Sequence, residues 1–155
     1  MDTPRSWDNP DTALNGIVKA VCYSGFREGQ HPDRGDGAVN PSYDETLEDL
    51  RILADNGFHM IRVYDSGENT RTVLQVIRDH DLPVSVMLGI WLKAEISTHG
   101  TCPWLTEPIP EATLAANTAE NQEEIARGSA LAREFADIVV AVNVGNEILV
   151  DWNEH

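Results

Sequence analysis

The chain has 155 residues, 41% of them hydrophobic, which suits one domain with its own core. Its 26 acidic and 11 basic residues leave a formal charge of −15, which argues against nucleic acid and against an anionic membrane surface as partners, because phosphate groups need clustered Lys and Arg. No apolar run reaches the roughly 18 residues of a membrane span, and the two cysteines, Cys22 and Cys102, make neither a disulfide framework nor a Cys-x-x-Cys pair.

Residues 1–14 are rich in Pro and Asp and read as a loose arm; residues 15–155 form the domain. No apolar signal segment is visible at the start, so the expected compartment is the cytoplasm, with both thiols free. The charge excess suits a high-salt medium, where the Debye length falls to about 3 Å at 1 M; an ordinary acidic protein is the alternative. In chain order, β-branched runs predict strands at 17–23, 59–64, 84–91 and 138–144. Helices are expected between them. The first, 42–56, opens on a Ser42/Glu45 capping box and stops at Gly57. The second covers 69–80, and a long Ala- and Glu-rich third covers 113–135.

Strands alternating with helical crossovers predict an α/β fold with a parallel sheet. The loop after the first strand, Tyr23-Ser24-Gly25-Phe26-Arg27-Glu28-Gly29-Gln30, lacks the Gly-x-Gly-x-x-Gly pattern of a doubly wound nucleotide site. Long loops follow the first and third strands, as in a barrel that builds its site on the carboxyl rim. The expected architecture is therefore a TIM-type parallel (β/α) barrel of which the first four units are present, a half-barrel.

Alternation places Glu147 on one face of the fourth strand with Gly145, Asn143 and Ala141, and Val140, Val142 and Val144 on the other. A carboxylate at an otherwise apolar strand mouth needs a reason. Proton donation to a leaving group is one, since partial burial keeps an acid protonated near neutrality; capping the next helix is the alternative. Arg62 and Tyr64 share a face of the second strand, and an inward Arg calls for a carboxylate partner, either at a site or in a structural ion pair. Tyr23 and Trp91 end strands, where aromatic rings stack on the apolar faces of sugars or pack in a core. The five histidines are scattered with no metal-ligand spacing, so no metal site and no cofactor is expected, and no Gly-x-Ser-x-Gly elbow occurs, which argues against a serine hydrolase.

These blocks, Cys22-Tyr23-Ser24-Gly25-Phe26-Arg27, Ile61-Arg62-Val63-Tyr64-Asp65, Val86-Met87-Leu88-Gly89, Cys102-Pro103-Trp104 and Val144-Gly145-Asn146-Glu147, stand in an order that resembles the N-terminal half of glycoside hydrolase family 17, the β-1,3-glucanases. The resemblance implies retaining hydrolysis of β-glucan, with Glu147 as general acid/base and Arg62 supporting the nucleophile. It also implies that Asn146 bonds the sugar 2-hydroxyl and that Tyr23, Tyr64, Asp65 and Trp91 line the sugar site. The family's nucleophilic glutamate lies on a seventh strand, which these residues do not include. The chain by itself is thus expected to be inactive. It would pair through its sheet edges with a second copy or with a complementary C-terminal half. A noncatalytic carbohydrate-binding or assembly half-barrel, or a truncated product, is the alternative.

Overall fold

The protein is described by a computed structural model over residues 19–32, 37–97, 100, 107–146 and 148. In chain order the elements are β1 (Ala20–Cys22), α1 (Tyr43–Asp55), β2 (Met60–Arg62), α2 (Glu68–Asp79), β3 (Ser85–Ile90), α3 (Glu111–Glu134) and β4 (Val139–Val144). The expected arm, residues 1–14, lies outside the described residues.

Local sequence explains the helix ends. At α1 the Glu45 N–H donates to the Ser42 hydroxyl, and the Ser42 N–H donates back to the Glu45 carboxylate at 2.8 Å, so two orphan donors are satisfied at once. Gly57 follows with φ 78°, a left-handed turn that costs a glycine nothing. At α2 the Asp65 carboxylate accepts the Gly67 N–H at 2.6 Å, turning the chain into the helix.

The four strands are parallel and lie in the order β1-β2-β3-β4. A doubly wound sheet reverses direction at a switch point; these strands contain none. Right-handed crossovers that always step to the next neighbour keep the helices on one face. That face is the core: Ile61, Val63, Val86 and Leu88 pack with Val73, Leu74 and Val76 of α2 and Leu131 of α3. The opposite face carries Cys22, Arg62 and Met87 side by side, with Ala141 and Asn143 beyond them, all half-buried or exposed.

One register detail departs from simple alternation. Val86 pairs with Val139 but Met87 pairs with Ala141, so Val140 is an extra, bulged residue. The helix-facing set on β4 is therefore Val139, Val142 and Val144, not the expected Val140, Val142 and Val144. Val139 is buried, whereas Val142 and Val144 are 46% and 56% exposed, because no described helix covers the far half of β4.

Candidate functional site

The polar residues of the uncovered face gather where the strands end. Arg62, at the end of β2, donates from Nη2 to Asn146 Oδ1 at 2.9 Å, joining residues 84 apart in sequence across β3. The turn that presents Asn146 is fixed from both sides. Gly145 adopts φ 76°, its N–H donates to Ile90 O at 2.8 Å, and Asn143 Nδ2 donates to its carbonyl at 2.6 Å. Between these strands stands Gly89, where a Cβ would overlap the Tyr64 carbonyl, so only glycine lets the end of β2 approach β3 this closely.

The Arg62 guanidinium also lies over the Tyr64 ring, 4.9 Å from its centroid, a cation–π contact that holds both groups in place. The Cys22 thiol beside the Tyr64 hydroxyl, helped by burial, raises the phenol above its ordinary value, and Arg62 opposes the shift. Among the described residues the partner of Arg62 is the Asn146 amide rather than a carboxylate, and Arg62 Nε is buried without an acceptor. Trp91, which follows β3, is half-buried, and its backbone N–H donates to Glu124 at 3.1 Å.

The sequence-predicted residues divide accordingly. Arg62, Tyr64 and Asn146 meet on the uncovered face. Tyr23 does not join them: Cys22 faces that side, so its neighbour must face the helices. There Tyr23 is buried, and its hydroxyl donates to Asp49 of α1 at 3.1 Å. Burial, then the Asp49 carboxylate, pushes that phenol up. Tyr23 as a lining residue of the same pocket is thus corrected to a tie between β1 and α1. Asp65 caps the turn into α2 through its bond to Gly67. Glu147 and the Cys102-Pro103-Trp104 block lie outside the described residues.

Two residues escaped the sequence reading. Glu124 and Asn121 are buried polar side chains of α3 that grip the loops after β2 and β3. Their only signal is position: with Gly128 and Leu131 they form the buried stripe of α3, a stripe with a single large apolar member. Among the described residues no group of three or more His, Cys, Asp or Glu is gathered to hold a metal ion. What the uncovered face offers is an oriented guanidinium, an amide and a phenol. This set suits a neutral polyhydroxylated ligand better than an anionic one at so acidic a protein.

No protein-family model matches the chain, and no curated protein matches it in sequence. Among solved structures it is similar to an endo-laminarinase from Formosa Hel1_33_131, with a TM-score of 0.63 and 29% identity. The fold is glycoside-hydrolase-like. The likeness covers 87% of this chain but 32% of the laminarinase, so the chain corresponds to about a third of that protein.

Proposed function

We propose that the uncovered face is one side of a β-glucan-processing site, and that the four-stranded sheet is the first half of a (β/α)8 barrel of the family 17 type. The bond between Arg62 and Asn146 carries the reading, because it draws the ends of β2 and β4 together on the one face left free of helices. The resemblance of the motif blocks and the likeness to an endo-laminarinase support it. In this reading Asn146 and Tyr64 bond sugar hydroxyls and Trp91 offers a stacking surface. Glu147, adjacent to Asn146, protonates the departing glycosidic oxygen and later takes a proton from water.

Retention of configuration needs a second carboxyl group about 5–5.5 Å from the first. Four carboxylates near the rim are engaged elsewhere. Asp49 and Glu48 are bound to Arg27 on the helix side, Glu124 is enclosed under the loops, and Asp65 holds the turn into α2. The nucleophile then comes from polypeptide that pairs along β4, where Val142 and Val144 await a covering helix. That polypeptide is a continuation of this chain, a complementary half or a second copy. Arg62, whose buried Nε has no acceptor among the described residues, is placed to hold such a carboxylate ionised.

The decisive experiment measures reducing-sugar release from a β-1,3-glucan by the assembled barrel. Glu147→Gln should lower turnover by about 10²–10⁴-fold, the usual worth of general acid–base catalysis. Unchanged turnover would remove Glu147 from the chemistry. Glucan binding without any hydrolysis would instead favour a noncatalytic carbohydrate-binding role.

A further inference from the structure

Glu124 sits in the middle of α3 and is 5% exposed. Its Oε1 accepts two backbone N–H groups, from Ser66 at 2.8 Å and from Trp91 at 3.1 Å. Its Oε2 accepts the Ser66 hydroxyl at 2.8 Å and Arg127 Nη2 at 2.9 Å. About one turn earlier, Asn121 brackets Lys93: Oδ1 accepts its N–H at 2.8 Å, and Nδ2 donates to its carbonyl at 2.9 Å and to Glu95 at 2.8 Å. Two adjacent loops thus hang from one short stretch of helix. Because Ser66 and Trp91 share a single oxygen, their amides cannot separate without losing a bond to it.

This arrangement needs close approach, and Gly128 supplies it. A Cβ there would lie 2.8 Å from Ile90 Cδ1 and 3.6 Å from Ser66 Cβ, so a larger residue would have to displace the Ile90 side chain or α3 itself. A carboxylate this enclosed is costly unless every lone pair is used. Here it receives four donors, which outweigh burial and hold the carboxyl below the usual glutamate range. A core that needed only bulk at this position would take a leucine.

We propose that Glu124 is a positioning residue: from the helix side it fixes the loops after β2 and β3, and so sets the separation of Tyr64 and Asp65 from Trp91 for a β-1,3-linked glucan chain. The proposal rests on reading the uncovered face as a glucan site. It also specifies what Glu124 must supply, which is an acceptor at Oε1 rather than a charge. In Glu124→Gln the amide oxygen still takes both backbone donors, and the amide nitrogen faces the Ser66 hydroxyl, which can turn to accept. In the similarly sized Glu124→Leu both loop amides lose their acceptor.

The test is calorimetric titration with a β-1,3-linked glucose hexasaccharide, paired with amide hydrogen exchange. Glu124→Leu should bind about tenfold more weakly, the effect of stranding buried donors, and exchange should quicken at the Ser66 and Trp91 amides. Glu124→Gln should remain within about threefold of the parent with both amides still protected. A purely packing role predicts the reverse order, with Leu the milder change, and that order overturns the proposal. If Glu124→Leu does not fold, Gly128→Ala carries the same expectation of weaker binding and faster exchange at the same two amides, and unchanged binding overturns it. A parent protein that does not bind the hexasaccharide brings down the glucan reading itself. A parent that binds, alongside variants that bind equally well, brings down only the role of Glu124.

Discussion

The loops at the carboxyl rim are tied down in two opposite ways. The loop after β1 is held by a cation near solvent: Arg27 Nη2 donates to Asp49 at 2.7 Å, to Glu48 at 3.0 Å and to the Glu45 carbonyl at 3.1 Å. Its side chain is 36% exposed and that of Glu48 is 62% exposed. The loops after β2 and β3 are held by a buried anion, Glu124, whose partners include two backbone amides. Charge at a surface can be replaced by water and screened by salt. A buried acceptor for backbone donors can be replaced by neither. The first tether therefore answers to ionic strength, and the second to pH and to side-chain shape.

The largest expected effect comes from breaking the buried tether. Glu124→Leu strands two amides and should cost about 2–6 kcal/mol in urea unfolding, at about 1–3 kcal/mol for each orphaned donor. A cost similar to that of a surface substitution would show that water reaches the loop amides. Next in size is the pH response. A carboxyl whose native value is lowered contributes its stability above the unfolded value of about 4.5 and loses it as the pH falls through the native one. The stability advantage of the parent over Glu124→Gln should hold from pH 7 to about 5 and shrink below about 4.5, measured as the difference in urea midpoints. Midpoints that stay parallel down to pH 3 would deny Glu124 its charge in the folded state.

Smaller effects belong to the contacts between β1, its loop and α1. Tyr23→Phe removes the bond to Asp49 and should cost about 1 kcal/mol while leaving glucan affinity unchanged, since Tyr23 faces α1. A loss of affinity would return Tyr23 to the binding surface. Arg27→Ala should lower the melting temperature slightly at low salt and not at all in 1 M NaCl. A deficit that persists in salt would make this tether more like the buried one than its exposure indicates.

The contrast also marks how much the sequence could tell. The helices and strands followed from apolar periodicity and from capping residues such as Ser42 and Gly57, which act over a few positions. That Arg62 and Tyr64 share a face was legible because alternation along a strand is local, whereas Asn146 was pointed to by the resemblance of the motif blocks; simple alternation would set it with Val142 and Val144, and the turn at Gly145 brings it to Arg62. Tyr23 was carried to the sugar site by the resemblance; the strand end alone left core packing open, and the outcome depends on Asp49 in another element. The bulge at Val140 left no mark in a run of valines. Glu124 and Asn121 were hidden for a physical reason: polar residues on a helix read as a solvated face, and only the folded chain brings the orphan amides of two loops to meet them.

The bare valines of β4 have a consequence for how the protein behaves in a tube. Val142 and Val144 flank a ladder edge that no described strand takes up, and such an edge invites copies to stick together. Mutual repulsion between molecules of charge −15 is the force that keeps them apart. Adding electrolyte shortens the reach of that repulsion while leaving apolar adhesion intact. Wherever this edge stays uncovered, dilute buffer should keep the solution clear and concentrated salt should turn it cloudy.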